Sequence, residues 1–415
     1  MRILFLSDNF PPEGNAPATR TYEHAVRWVR AGHEVTVVTC APNFPEGRLF
    51  PGYRNRLRSV ETMDGIRVVR VKTYITANEG FLKRTLDYLS FMAASVAAGL
   101  FERRPDVVVA TSPQFFCALG GWALTRLRGL PFVFELRDLW PASITAVGAM
   151  KRSLVVRMLE KLEMFLYRSA DAIVPVTHAF RDELVRRGIE RGKIHVVLNG
   201  VDLSRYAPAP RDEALAGQYD LRGRFVVGYL GTHGMAHGLD TVVEAAQLLR
   251  GREDIAFFFA GSGAQRAHVE ALVEERGLGN VRMIPRQPKE AMPRLWSLCD
   301  VSLIPLRDSE VFATVIPSKL FEGMGMGIPA LMSLPQGEAT RIVTDTGCGR
   351  CVPPGNARAM AEAIAALADD PQALARMRER SLKAAPAYSR DQQAALMAQV
   401  LEGVVRTPAS QRQTA

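Results

Sequence analysis

The strongest constraint on this chain is a strand–helix–strand pattern that occurs near its start and begins again past its middle. Ile3 to Leu6 is a short apolar run that reads as a buried strand. Ala18 to Ala31 follows with helical spacing and Gly32 as its stop, and Glu34 to Cys40, rich in Val and Thr, is a second strand. A βαβ unit of this spacing requires a parallel sheet. At Phe225 the pattern restarts: strand Phe225 to Leu230, a glycine-rich loop from Gly231 to Gly238, a helix from about Leu239 to Leu249, and strand Ile255 to Ala260. Gly261-Ser262-Gly263, a further helix and strand Val281 to Ile284 extend it. The expected architecture is α/β, with two doubly wound domains. A length of 415 residues supports two cores.

Between these units, strands are expected at Ile66 to Val71, Asp106 to Ala110, Phe132 to Glu135, Ala172 to Val176 and Lys193 to Leu198, with helices over about Phe116 to Leu127 and Leu154 to Arg168. Pro42 to Asn55 is loop-like, and Leu203 to Pro210 reads as an interdomain linker. The expected divisions are 1–202, a linker at 203–210, a second domain at 211–388, and a final helix at 389–406. The helix carries apolar residues at Leu396, Met397, Val400, Leu401, Val404 and Val405. The last residues, Thr407 to Ala415, are polar and expected to fray. Phe81 to Arg104 is apolar nearly all round in its middle and flanked by Lys83, Arg84, Arg103 and Arg104. It is read as a core helix, with a membrane-surface element as the alternative, helped by Arg54, Arg56 and Arg58.

The chemistry concentrates in Ile316-Pro317-Ser318-Lys319-Leu320-Phe321-Glu322-Gly323-Met324-Gly325-Met326-Gly327-Ile328-Pro329, after the apolar strand Val301 to Leu306. A helix starting near Pro317, with Ser318 as a capping residue, points backbone N–H groups and its positive dipole end at an anion, most naturally a phosphate. Lys319 adds a full charge in the same turn. Glu322, about one turn on, can accept hydrogen bonds from sugar hydroxyls. Gly323, Gly325 and Gly327 are read as ending the helix. In the first domain Glu135, Arg137 and Asp138 stand at the carboxyl end of a strand, where ligands bind in open α/β sheets. Glu135 paired with Arg137, and Asp138 as a helix cap, are the structural alternatives.

A net charge of +9 suits an anionic ligand or membrane surface. Nucleic acid is disfavoured, because basic and aromatic residues are not interleaved. A dehydrogenase is disfavoured, because no G-x-G-x-x-G follows the first strand. The five scattered cysteines point to a reduced, cytoplasmic setting, and Cys348-x-x-Cys351 is read as a turn between two strands. The N-terminal apolar run is too short for a signal peptide, and no run has the ~18–20 apolar residues of a membrane span.

Asn199-Gly200-Val201-Asp202, Gly231-x-x-Gly234 with Gly238, Gly261-Ser262-Gly263, Pro317-Ser318-Lys319 with Glu322, and Gly327-Ile328-Pro329 together resemble family-4 glycosyltransferases of the GT-B fold. The resemblance spans nearly the whole chain. Glu135-Leu136-Arg137-Asp138-Leu139-Trp140-Pro141 is similar to the branch that includes amino-sugar transferases of bacterial O-antigen and colanic-acid clusters.

The resemblance implies two Rossmann-like domains facing across a cleft, with the final helix crossing back to the first domain. It implies retaining, metal-independent transfer from a nucleotide sugar, with UDP the expected nucleotide, to a polyprenyl-diphosphate-linked or saccharide acceptor. No cofactor is expected, and the enzyme is placed in the cytoplasm with peripheral contact to the inner membrane face. Glu322 maps to ribose; Lys319, Ser318, Leu320, Gly231, Thr232, His233, Gly234, His237, Gly261 and Arg266 to the donor side; and Arg286 to the base. Lys319, Asp138, Arg137 and Glu135 are the catalytic candidates, and Pro12, Gly14 and Asn15 form an acceptor-side loop.

There are three departures from the family pattern. Thr314 stands where the first glutamate of E-x7-E belongs. Thr232 and His237 replace the phosphate-loop arginine and lysine, and Arg137 replaces a histidine. His233 and His237 can still donate hydrogen bonds when neutral. Two other classes remain: a nucleotide-sugar 2-epimerase of the same fold, and a non-catalytic nucleotide-sugar-binding relative.

Overall fold

In a computed structural model that describes residues 1–77, 81–112, 114–139 and 154–407, the chain forms two compact units. One comprises Met1–Asn199 with Arg390–Ala415, the other Gly200–Ser389. Trp140 and Pro141 lie outside the described residues, as does nearly all of the polar tail.

The first unit is built on a seven-stranded sheet. Its strands are β1 (Arg2–Leu6), β2 (Glu34–Cys40), β3 (Arg58–Met63), β4 (Ile66–Val71), β5 (Val107–Thr111), β6 (Phe132–Leu136) and β7 (Ala172–Pro175), in the order β3-β4-β2-β1-β5-β6-β7. All neighbours run parallel except β3 with β4. Four of the five residues of β1 and all of β5 and β6 are buried, as strands covered on both faces must be. Leu6 is in register with Val38 on one side and Ala110 on the other. The chain leaves β1 for β2 on one side, and β5 lies on the other. The carboxyl ends of β1 and β5 therefore form a topological switch point, the usual ligand crevice of such sheets.

The helix Arg390–Arg406 belongs to this unit: Met397, Leu401 and Val404 pack with Ile3, Phe5 and Trp28, and the Trp28 indole N–H donates to the Ala394 carbonyl at 2.9 Å.

Four expectations are corrected here. Strand β3 was not anticipated, because its alternating burial carries no apolar run; it pairs with β4 as an edge hairpin whose tight turn includes Asp64 at φ 48°. The 193–198 segment is not a strand but an extended stretch with an isolated bridge between Ile194 and Ile173, its His195 and Val197 amides donating to β7. The helix beginning at Phe81 ends at Phe101 and is not buried all round. Phe91, Ser95 and Ala98 face the core, whereas Leu86, Leu89, Leu100 and Phe101 are exposed, Phe101 at 84%. Arg58 pairs with the buried carboxylate of Glu102 rather than standing free.

The second unit has a six-stranded parallel sheet: β8 (Phe225–Leu230), β9 (Ile255–Ala260), β10 (Val281–Ile284), β11 (Val301–Pro305), β12 (Ala330–Ser333) and β13 (Gly349–Val352), ordered β10-β9-β8-β11-β12-β13. Its switch point lies between β8 and β11. The segment read as a linker is partly structural, since Tyr206 is 4% exposed and its backbone packs against Gly325. Cys348 follows a helix, Glu338–Thr346, and Cys351 lies within β13, so this pair is not a turn between strands. All five cysteines are free thiols. Among the described residues no cluster of His, Cys, Asp and Glu could hold a metal ion, and no helix is long and apolar enough to cross a membrane.

Candidate active site

Two glycine-rich turns interlock at the switch point of the second unit. Gly231 ends β8 at φ 146° and Gly261 ends β9 at φ 159°. A Cβ on Gly261 would lie 1.8 Å from the Gly231 carbonyl oxygen, and one on Gly231 would lie 2.6 Å from Lys319 Cε. Both positions favour glycine for conformation, and Gly261, facing backbone, needs it for space as well. The His233 amide donates to the Ser262 carbonyl at 2.9 Å, tying the turns together. Gly234 lies against the His237 ring.

Across from them, the chain leaving β11 passes through a short turn, Glu310–Thr314, into the helix Ser318–Met326. Pro317, not Ser318, is the N-cap, and no side chain caps the helix. Proline has no amide hydrogen to lose, so it serves as the boundary, and Ser318 becomes the exposed first helical residue. Leu320 donates its amide to Pro317 O at 3.1 Å and buries its side chain in the core, leaving the earlier amides without an intrahelical partner. Gly323 and Gly325 lie inside the helix, and only Gly327, at φ 70°, ends it. Their missing side chains allow close packing instead: a Cβ on Gly325 would lie 2.7 Å from Tyr206 O.

Lys319 stands in the first turn with Nζ 3.9 Å from the centre of the Tyr229 ring. Burial pushes its ammonium down to about 8, opposed by the charge of Glu322. A desolvated cation beside uncapped amides is a site short of an anion. His233 is fully buried, and neither ring nitrogen has a hydrogen-bond partner. Burial, then the charges of Arg266 and Lys319, push it down to about 4. His237 is pushed to about 4 by burial and Lys319, with Nδ1 3.3 Å from Gly234 O. Both imidazoles are thus neutral near pH 7; His237 turns its one N–H from Nδ1 to Gly234 O, whereas the N–H of His233 has no partner. The Tyr229 hydroxyl donates to Thr232 O at 2.5 Å, holding the loop under Lys319. Glu322 accepts from the indole N–H of buried Trp296 at 3.2 Å, which orients its carboxylate.

Arg266 is placed differently from the sequence reading. Its Nη1 donates to Gly261 O and Ile284 O, both at 2.6 Å, and its Nη2 pairs with Glu270. These bonds commit most of its donors to bracing the Gly261 turn. Arg286 is exposed just past β10. Thr314 turns its hydroxyl to Val311 O at 2.7 Å.

In the first unit, Glu135 sits at the end of β6 and pairs not with Arg137 but with Arg20, Nε to Oε1 at 2.8 Å, both side chains 1% exposed. Burial raises its affinity for a proton, but Arg20 and Arg137 outweigh this and hold the carboxyl below the usual range. Arg20 was missed because an arginine within a helix reads as solvated. The signal lay in its spacing with His24 and Trp28 on one buried face. The Arg137 amide donates to Ser112 Oγ at 2.7 Å, while its Nη1 is buried without a partner; burial lowers the guanidinium to about 10. Asp138 follows, partly buried; the helix it was read to cap falls outside the described residues. Asn15 Oδ1 caps the helix Ala16–Arg30 through the Ala18 amide, and Pro12 and Gly14 are exposed.

Residues 15–200 match the glycosyl transferase 4-like domain, and residues 214–384 match glycosyl transferases group 1. A relative named for a glycosyl transferase step of colanic acid biosynthesis, WcaI of Escherichia coli, is 28% identical over 88% of this chain and 91% of its own. A GDP-mannose-dependent alpha-mannosyltransferase of Mycobacterium tuberculosis is 26% identical over 65% of each chain. Among solved structures, a sucrose-phosphate synthase from Thermosynechococcus elongatus superposes with a TM-score of 0.79, at 18% identity, covering 97% of this chain and 98% of its own. The chain belongs to the glycosyltransferases of the GT-B fold, joining a 4-like domain to a group 1 domain.

Proposed function

We propose that this glycosyltransferase moves a sugar from a nucleoside-diphosphate sugar, with retention of configuration and without a metal ion, to a saccharide or lipid-linked acceptor in bacterial surface-polysaccharide synthesis. The observation that carries the donor half is the half-desolvated Lys319 at an uncapped helix start, beside the Gly231 turn.

Departure of the nucleotide leaves negative charge on the β-phosphate, and preorganised cations and N–H dipoles at that point lower the barrier most. Lys319, the first-turn amides and the neutral imidazole N–H of His233 supply them. Glu322, held by Trp296, accepts from the ribose hydroxyls. Retention and metal independence rest on the family resemblance and on a chain that contains no D-x-D carboxylate pair. UDP is the nucleotide the resemblance carries, and GDP is the nucleotide in the name of the mycobacterial relative.

The pathway rests on the colanic-acid name of the Escherichia coli relative. Contact with the inner membrane face is supported by exposed Leu86, Leu100 and Phe101 near Arg103 and Arg104, and vesicle flotation measures it.

Mass spectrometry of products from UDP-, GDP- and dTDP-sugars with polyprenyl-diphosphate-linked acceptors tests the reading, with proton NMR of the new anomeric centre and EDTA in parallel. A retained anomer that forms with EDTA present is expected. An epimerised donor without acceptor, or no product from any donor, would replace this reading with one of the other two classes.

A further inference from the structure

The buried face of the helix Ala16–Arg30 gathers more positive charge than the residues around it neutralise. Arg20 pairs with Glu135. Arg390, the first residue of the helix Arg390–Arg406, donates from Nε to Glu23 Oε2 at 2.8 Å, and Arg27 pairs with Asp391 at 2.8 Å. Arg137, just past β6, is the fourth guanidinium: Glu135 is the carboxylate whose charge acts on it, and Arg20 and Arg390 oppose. Arg20, Arg27, Arg137 and Arg390 thus stand against Glu23, Glu135 and Asp391, which leaves one positive charge over. The positive dipole end of the Arg390–Arg406 helix adds to it.

Arg390 Nη1, Arg137 Nη1 and His24 Nε2 are all buried without a hydrogen-bond partner. Arg390 is 6% and His24 1% exposed. A guanidinium nitrogen can only donate. Burial, then the charges of Arg20, Arg390, Arg27 and Arg137, hold the His24 imidazole well below its usual range, so it is neutral and has an N–H to offer. Glu135 Oε2 is also without a hydrogen bond, but the Thr111 hydroxyl stands close enough to favour its charge. A buried charge without a counter-charge is among the costliest features a fold can carry, and the atoms left open beside this one are donors.

We infer that the first unit binds one small monovalent anion, chloride, among Arg137, Arg390 and His24 at the start of the Arg390–Arg406 helix. The inference goes beyond the transferase reading and does not depend on it. One monovalent ion cancels the charge left over, whereas a divalent phosphate reverses it. Entry requires movement of Arg137, whose side chain is part-exposed although its Nη1 is buried. The bound ion then bridges the end of β6 to the last helix, which packs on the sheet through Met397 and Leu401.

Thermal melts of the full chain at constant ionic strength, with sodium chloride replacing sodium gluconate, test this alongside chloride NMR linewidths on the same samples. Chloride is expected to raise the midpoint saturably, by about 5–10 °C at about 100 times its dissociation constant. Arg137→Met should abolish that rise and the excess linewidth, and in gluconate it should melt no lower than the wild type, because it discards the uncancelled charge. Arg103→Gln, which removes an exposed arginine paired with Glu34, should keep both responses. A midpoint that follows ionic strength whichever salt supplies it, or an undiminished chloride response in Arg137→Met, would overturn the inference. So would a larger rise with phosphate than with chloride, which assigns the cluster to a phosphate-bearing ligand. The absence of saturable chloride broadening by the wild type, a reading that needs no variant to fold, overturns it as well.

Discussion

Replacing Arg20 with methionine is expected to be among the most damaging single changes in the first unit. The guanidinium donates to Glu135 Oε1 at 2.8 Å, to Leu198 O at 2.7 Å, to Asn199 Oδ1 at 3.2 Å and to Val197 O at 3.0 Å. Methionine fills much of the volume but leaves Glu135 charged, 1% exposed and without its ion-pair partner. Removing one partner of a buried pair typically costs about 3–5 kcal/mol. Replacing both partners by apolar groups costs far less, so Arg20→Met with Glu135→Leu should recover at least about 1–2 kcal/mol of the single-mutant loss. Urea unfolding of the wild type, both single variants and the double variant gives the coupling directly from the midpoints and slopes. A single-variant loss under about 1 kcal/mol, or a double variant no better than Arg20→Met, would refute the pairing as a buried, mutually dependent ion pair.

Nucleotide affinity should fall as pH rises through about 8, because Lys319 loses its proton there while a diphosphate stays ionised; calorimetric titration of UDP or GDP from pH 6.5 to 9.5 shows it, and Lys319→Met should flatten the profile. Gly261→Ala, which sets a Cβ against the Gly231 carbonyl at an angle glycine favours, should cost about 1–3 kcal/mol of stability and weaken nucleotide binding by distorting the Gly231 turn, read by thermal melts and the same titration. Asp87 has its folded-state pKa raised to about 7 by burial, so it penalises the folded protein increasingly as pH rises from about 4 to 7. Asp87→Asn should therefore stabilise the protein at pH 8 by about 1–2 kcal/mol, after allowance for its partial exposure, and by little at pH 4.5.

The alternating pattern was legible wherever strands are buried on both faces, because β1, β5, β8 and β9 are continuous apolar runs. It failed at β3, where a hairpin edge strand is half solvated, and at 193–198, where strand-like residues lie alongside β7 with only one bridge. The juxtaposition around Lys319 was legible because its parts are sequence-local: Pro317, Lys319 and Glu322 lie within a helix turn and a half, and Gly231 and Gly261 end strands.

Residues that act at a distance were not visible. Arg20 meets Glu135 across 115 positions and Leu198 across 178. Nothing in local spacing marks such groups, since each type alone reads as an ordinary solvated residue. Arg266 shows the reverse. The resemblance set it on the donor side, and only the carbonyls of Gly261 and Ile284 around it reveal that it braces the Gly261 turn.

The turnover of Lys319→Ala, with whichever donor and acceptor give product, bears most directly on the donor site. With Lys319 stabilising the leaving phosphate, kcat should drop by about 10²–10³ while the thermal midpoint stays close to that of the wild type. A variant that still folds and turns over within about threefold of the wild type would contradict that role.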